Sequence, residues 1–408
     1  MSASVETEAV GPRPGAVPPW SGTPLRHPTW GLSWHGVRTV AVLDLRQRVR
    51  STRWIVTLVV WFVVVGAITG LTWFATNQVL GSTGYTSDAG SPAPPPMLFG
   101  PMIFGLVVFF VLFLGLLVSP TLSATAINGD RTAGTLATLQ VTLLTPAEIA
   151  VGKLVAAWVA ALAFLAASVP FLLASLAAGG TPVLAMIVCL LVLAVLLAVV
   201  CAIGLGFSAL TARTSGSAVL TFLTVAGLTV LSPIVFGLTF PAITTTDQVR
   251  VWDVPANFDY ESGKAPICQW RTETMSQPHT ERTWWLLAIN PFVIVADAAP
   301  QARGKVDQFG FDPLKGIRSA VREARTGPGT EQDNCTGSYG AGAALGSDAG
   351  AENGDYAPSP VAKRVPDRSA VWPWGLAANL LLGAAGLVTA VRRLTIPQRT
   401  LPRGTRVA

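Results

Sequence analysis

The sequence predicts an all-α integral membrane protein built as a six-span helical bundle. The chain has 408 residues, of which 51% are hydrophobic and only 12% are charged, whereas soluble domains carry about 25% charged residues. The apolar residues are also clustered, and no Asp, Glu, Lys, Arg or His occurs in the 59 residues between Lys153 and Arg213. Because a helix needs about 20 apolar residues to cross a bilayer, runs of this length indicate several membrane spans.

Six apolar segments are long enough to be spans, and we place them at residues 54–79, 98–127, 146–177, 181–210, 216–240 and 370–391. The second contains Pro120, which predicts a kink. The third has the clearest start, because Thr145 is suited to the N-cap and Pro146 to the first helical position. Glu148 then stands at the third helical position, which completes a capping box.

The basic residues predict the orientation of the spans. Short loops that carry Lys and Arg lie on the cytoplasmic side, and the loops at residues 80–97 and 178–181 contain neither. Both chain ends, the loop after the second span and the loop after the fourth span are basic: Arg38, Arg46, Arg48, Arg50, Arg53, Arg131, Lys153, Arg213, Arg392, Arg393, Arg399, Arg403 and Arg406. We therefore expect a multi-pass plasma-membrane protein with both termini in the cytoplasm.

The flanking segments complete the predicted organisation. Residues 1–36 are rich in Pro and Gly and predict a disordered cytoplasmic tail. Residues 37–53 predict an interfacial amphipathic helix, whose apolar face would consist of Val37, Val40, Ala41, Leu45 and Val49. Residues 54–240 hold spans one to five, residues 241–368 form an extracytoplasmic segment, residues 369–393 hold the sixth span, and residues 394–408 form a cytoplasmic tail.

The extracytoplasmic segment contains an apolar stretch at residues 284–299. It is short and is interrupted by Pro291, and a seventh span would place the arginine-rich C-terminus outside. We therefore interpret it as an interfacial or re-entrant element. Further on, Asp312 and Pro313 predict a capped amphipathic helix that ends near Arg325, and the composition of residues 327–360 predicts disorder.

Cys268 and Cys335 both lie in this predicted extracytoplasmic segment. An oxidising compartment would permit a disulfide between them that closes a long loop. Two unrelated thiols remain an equally good interpretation.

Several function classes are excluded or disfavoured. No histidine lies within a span to ligate haem, and no ionisable residue lies deep in a span to couple transport to protons or ions. A phosphate-binding loop needs Ser or Thr after Gly-Lys, but the three Gly-Lys pairs are followed by Leu154, Ala265 and Val306. No catalytic constellation is visible, so we expect neither an enzyme nor a cofactor or metal site, and arginines at membrane edges do not indicate nucleic-acid binding.

The segment 128–145, between the second and third spans, is the most informative part of the chain. It is too polar to remain in lipid, and its apolar residues, including Leu136 and Leu139, outline a short amphipathic helix. A helix presented to water between two spans suits docking to a soluble partner.

This segment resembles the cytoplasmic coupling segment of ABC type-2 permeases, the membrane subunits of ATP-driven exporters. The resemblance is carried by the six-span plan and by Asp130, Arg131, Gly134, Thr135, Leu136, Leu139, Thr145 and Pro146, followed by Gly152-Lys153-Leu154. The chain departs from the family pattern at Ala137, where an acidic residue is common.

The resemblance implies an export permease that forms the substrate path with a second permease subunit, as a homo- or heterodimer. ATP would be bound by a separate cytoplasmic ATPase that docks on residues 128–145. The alternative is a non-transporting membrane sensor or assembly scaffold with an extracytoplasmic domain.

Overall fold

A computed structural model describes residues 30–82, 100–135, 144–254, 268–300, 312–334 and 369–395. Within these residues six helices are long and apolar enough to cross a membrane: Thr52–Thr76, Gly100–Thr132, Pro146–Ala177, Val183–Leu210, Thr214–Leu238 and Trp372–Leu394. They correspond one to one with the six predicted spans, so the chain is a multi-pass membrane protein. We number them span one to span six.

The helices of the first four spans are regular over most of their length. Helix α1, Trp34–Val49, precedes span one, which is helix α2, Thr52–Ser82. Span two comprises α3, Gly100–Ser123, with Pro120 inside it, a turn, and the short helix α4, Asn128–Thr132. Spans three and four are α5, Pro146–Ala177, and α6, Val183–Leu210.

Spans two, three and four supply most of the buried core. Their largest buried side chains include Phe104, Leu112, Phe164, Leu172 and Leu193. Span six packs closely along span four, because glycines face each other there: a Cβ added at Gly206 would lie 2.7 Å from the Cα of Gly386. Small residues at a seam allow two spanning helices to approach closely, so any larger side chain here would push spans four and six apart.

Span five is interrupted in the middle. It runs as α7, Thr214–Ala226, a π-helical turn at Gly227–Leu231, and α8, Ser232–Leu238. Pro233 has no amide hydrogen, so it cannot donate to the carbonyl of Thr229 four residues earlier, as an α-helix would require. This turn therefore leaves an acceptor for a side chain from elsewhere.

The segment between spans five and six contains helices and a small sheet. Its elements are α9, Phe240–Ile243; β1, Thr244–Asp253; β2, Gln269–Pro278; a 3₁₀ turn at Thr280–Arg282; α10, Trp285–Ala288; α11, Pro291–Ala298; α12, Pro313–Thr326; and β3, Glu331–Asp333. Span six is α13, Trp372–Leu394. We call this end of the bundle the sheet end, and the opposite end, where α1 and α4 lie, the basic end.

The strand order is β2-β1-β3, with β2 antiparallel and β3 parallel to β1. Thr244 pairs with Pro278 and Asp253 with Gln269, while Trp252 pairs with Asp333. Our sequence analysis did not predict this sheet. Strand β3 also corrects the predicted disorder at residues 327–334, because Glu331–Asp333 is held as an edge strand; residues 335–360 lie outside the described residues.

Three predictions about helix starts, and one about residues 284–299, can be compared with the structure. Thr145 and Glu148 form the predicted capping box, and Asp312 caps α12 by accepting from the amides of Leu314 and Lys315. The N-terminal helix begins at Trp34, capped by Ser33, three residues before the predicted boundary. The apolar stretch at residues 284–299 forms two short helices separated at Asn290, and neither is long enough to span a membrane; its assignment as an interfacial or re-entrant element stays a prediction.

Candidate coupling site at the basic end

The residues predicted to couple to an ATPase lie at the two ends of segment 128–145. Asp130 and Arg131 belong to α4, and the chain then turns at Gly134, whose φ is +72°, a conformation that favours glycine. Thr145 and Pro146 open span three. Leu136 and Leu139 fall in residues 136–143, outside the described residues, so the amphipathic helix there stays a prediction.

Asp130 fastens the first end of the segment through a buried ion cluster. Its Oδ2 lies 2.5 Å from Nζ of Lys153, and Oδ2 of Asp44 lies 3.4 Å from the same Nζ. The Lys153 side chain is only 1% exposed. A buried ammonium is tolerated only when it is paired, and here two carboxylates pair with it. One side chain of span three therefore joins α4 to α1.

The second end of the segment is fastened to the chain just before α1. The Glu148 carboxylate accepts from the amide of Ser33 at 2.8 Å and from the amide of Thr145 at 2.8 Å. The Thr145 hydroxyl donates to the carbonyl of Gly31 at 2.5 Å. The capping box of span three thus also holds the start of α1.

Asn128, fully buried at the start of α4, connects the segment to spans four and five. Its amide donates to the Ser208 hydroxyl at 3.1 Å, and its Nδ2 lies 3.1 Å from the Thr211 hydroxyl and 3.4 Å from the Ser217 hydroxyl. Ser217 in turn donates to the carbonyl of Ala124 at 2.6 Å. These hydrogen bonds cross between elements that are distant in sequence, so they hold α4 in register with both spans.

Arg48 adds one more connection under the bundle. Its guanidinium donates to the carbonyl of Leu122, in the last turn of α3, at 2.9 Å. Burial lowers the pKa of Arg48, while the nearby carboxylates of Asp44 and Asp130 oppose that shift. An arginine stays protonated in proteins even so, and it acts here as a fixed charged donor between α1 and span two.

The described residues that follow the first attachment face solvent. Arg131, Thr132, Ala133, Gly134 and Thr135 are all exposed. The described residues hold no group of three or more His, Cys, Asp or Glu side chains suited to a metal ion. The arrangement is mechanical: an exposed turn whose ends are tied to α1 and to spans two to five.

No protein-family model matches this chain, and no curated protein matches it either. The resemblance to ABC type-2 permeases therefore rests on the motif and the span plan.

Sequence reasoning missed Asp44 and Lys153 as members of the site. A signal for Lys153 existed, because it is a lone cation near the start of a long apolar helix and a buried charge needs a partner. Its partners were not identifiable, because Asp44 lies 109 residues away in sequence.

A second polar cluster, which we call the clamp, holds the sheet end to spans five and six. Asn290 caps α11 and donates from Nδ2 to the carbonyl of Thr229 at 2.9 Å, the acceptor that Pro233 cannot serve. Asn379 of span six donates to the carbonyl of Ile289 at 2.9 Å.

Asp297 completes the clamp with a fully buried carboxylate. One oxygen accepts from the amides of Val371 and Trp372 at 2.6 and 2.8 Å, and the other accepts from Nε of Arg322 at 2.6 Å. Span six begins at Trp372, so the carboxylate lies at the positive end of that helix. The sequence analysis treated residues 284–299 as an apolar stretch and missed Asp297.

The cysteines divide into two kinds. Cys189 and Cys201 are free and buried in span four, where burial is the ordinary state of a small apolar residue. Cys268 is disulfide-bonded. Cys335 lies outside the described residues, so the Cys268–Cys335 pairing stays a prediction.

Proposed function

We propose that this chain is the membrane permease subunit of an ATP-driven ABC exporter. Residues 128–145 would be the docking site for a separate cytoplasmic ATPase subunit. The observation that carries the proposal is the attachment of this segment at both ends, by Asp130 to Lys153 and by Thr145 and Glu148 to residues 31–33.

These attachments suit the transmission of force. A flexible loop would absorb a displacement applied at its exposed turn. Here Lys153 and Glu148 connect the loop ends to span three and α1, and Asn128 connects them to spans four and five. A movement imposed on the exposed residues 131–135 would therefore shift several spans together, as switching between two packed arrangements requires.

The remaining parts of the proposal follow from composition and exposure. The sequence has no phosphate-binding loop, so the ATP would be bound by the partner chain. Spans one and five are the least buried: only 22% and 17% of the residues in their most apolar stretches are buried. Their exposed faces are available to lipid and to a second permease subunit of the same or another sequence. In this arrangement the protein lies in the plasma membrane, with its basic end on the cytoplasmic side and its sheet end on the outer side.

The test is a double substitution in the predicted docking helix. Leu136→Asp with Leu139→Asp should release the ATPase, because each buried apolar anchor of an interface is worth about 2 kcal/mol when truncated. The matched control replaces both residues with Met, which keeps the apolar contact and nearly the same volume. Arg131→Ala should weaken association less, because rim charges are screened by salt.

The measurement is co-purification of the ATPase with the permease, together with ATP hydrolysis by the complex. If the double-Asp variant keeps full association with the ATPase and full ATP hydrolysis, residues 128–145 are excluded as the docking site. The alternative, a membrane sensor or scaffold, would then gain weight, since the clamp joins the sheet end directly to spans five and six.

A further inference from the structure

Four arginines in α1 and just after it are not used by the bundle: Arg38 and Arg46 lie in α1, Arg50 is its C-cap, and Arg53 lies in the first turn of α2. We call Arg38, Arg46, Arg50 and Arg53 the arginine face; all four are exposed. In the part of the chain that the structure describes, none of their guanidinium groups has a hydrogen bond or ion pair. Arg48 is different, because it points into the bundle and donates to Leu122.

Helical geometry separates these arginines from the packed side of α1. At 100° per residue, Arg38, Arg46 and Arg50 fall within an arc of about 120°. The opposite side holds the buried Val37 and Val40, and also Asp44, the one acidic residue of the helix, which is engaged with Lys153. The arginine face therefore has no internal counter-charge along its length.

Exposed apolar side chains lie among these arginines. Leu43 is 47% exposed, Val49 is 56% exposed, and Trp34, at the start of the helix, is 79% exposed. Arginines mixed with aliphatic and Trp side chains are typical of a helix at the boundary between headgroups and acyl chains. On a helix face in contact with water alone, these exposed apolar side chains would gain no stabilising contact.

Continuity with span one determines what lies next to this face. Helix α1 ends at Val49 and α2 begins at Thr52, so the last arginine, Arg53, already lies in the first turn of a spanning helix. Residues in the first turn of a membrane-spanning helix lie beside lipid headgroups.

We propose that the arginine face binds the phosphate headgroups of anionic phospholipids and holds α1 against the membrane. Each arginine near an anionic surface contributes about a fivefold gain in affinity. The binding should weaken as salt rises, because the charges are exposed. This proposal does not depend on ATPase docking, which involves residues 128–145.

The experiment titrates the purified full chain in detergent with phosphatidylglycerol or phosphatidylcholine, counting bound lipids by native mass spectrometry. The wild type should prefer phosphatidylglycerol. The variant with all four arginines replaced by Gln should lose that preference, with phosphatidylglycerol affinity reduced more than about a hundredfold at low salt. Arg392→Gln with Arg393→Gln, an exposed basic pair at the end of span six, is the matched control and should keep the preference.

Three results would overturn the proposal. The first is a wild type without any preference for phosphatidylglycerol, which would leave an acidic protein surface as the partner of the arginine face. The second is an equal loss in the Arg392 and Arg393 control, which would reduce the effect to overall charge. The third is equal binding of soluble glycerol phosphate, which would indicate a site for free phosphate.

Discussion

Replacing Lys153 with Met should loosen the basic end of the bundle without disturbing the spans. Met has a similar length and no charge, so it fills the buried position but leaves Asp44 and Asp130 without their shared cation. Both Oδ2 atoms lie within 3.4 Å of Nζ, so the two carboxylates are at most about 6 Å apart. They would repel each other once the ammonium is gone.

The magnitude follows from burial. Breaking a buried ion pair by removing one partner costs about 3–5 kcal/mol. The Asp44 and Asp130 side chains are 15% and 29% exposed, so water recovers part of this cost, and we expect a loss of about 2–3 kcal/mol. For a chain of this length that corresponds to a fall of about 2–4 °C in the thermal midpoint.

The assay combines thermal unfolding in detergent with hydrogen exchange followed by mass spectrometry. Exchange should accelerate in α4 and in the C-terminal half of α1, which contains Asp44, whereas spans two to four should stay protected. Arg131→Gln is the control, because Arg131 is exposed and adjacent to the cluster, and it should change neither quantity.

A rescue variant makes the reasoning refutable. Replacing Asp44 and Asp130 with Asn in the Lys153→Met background removes the unpaired charges, and neutral replacement of a whole buried ion cluster is often tolerated. This triple variant should regain most of the lost stability. A triple variant no more stable than the single one, or a Lys153→Met protein with wild-type stability and exchange, would contradict the account of the cluster.

Three further predictions concern the sheet end and the topology. Asp297→Asn should lower stability by about 2–3 kcal/mol, because the fully buried carboxylate loses the charge that pairs with the part-buried guanidinium of Arg322; thermal unfolding would show this, and an unchanged midpoint would contradict it. Hydrogen bonds to the carboxylates of Glu281 and Asp247 raise the pKa of His279, so its stabilising contribution is complete below about pH 6.5 and is lost as pH rises through the raised pKa. Exchange at β1 and β2 should therefore be slower at pH 6 than at pH 8, after correction for intrinsic rates, and His279→Gln should abolish the difference. A cysteine placed at Thr330 should react with a membrane-impermeant reagent in intact cells, whereas one placed at Arg403 should react only after the cells are opened. The same accessibility at both positions would refute the predicted topology.

The features predictable from the sequence are those encoded by neighbouring residues. Thr145, Pro146 and Glu148 stand within one helical turn, so the cap of span three could be identified without knowledge of any tertiary contact. Asp312 and Pro313 gave the start of α12 in the same way. The six spans were evident because apolar length alone identifies a membrane helix.

The features that could not be predicted depend on pairing between distant residues. Strand β3 is three residues long and exists because Glu331–Asp333 pairs with β1, about 80 residues earlier. Asp297 was hidden because its role depends on Arg322 and on the first amides of span six. A sequence pattern shows that a buried charge needs a partner, but the fold decides which residue supplies it.

The central claim, that the basic end docks a separate ATPase, is tested most directly by site-specific photocrosslinking in native membranes. A photoreactive residue placed at Thr132, which is exposed at the basic end, should crosslink to a second chain that also binds ATP. The same probe at Thr274, exposed on β2 at the sheet end, should not. Capture of an ATP-binding chain at position 132 alone is the predicted result. No ATP-binding chain at position 132, or the same chain captured equally at position 274, would contradict the claim.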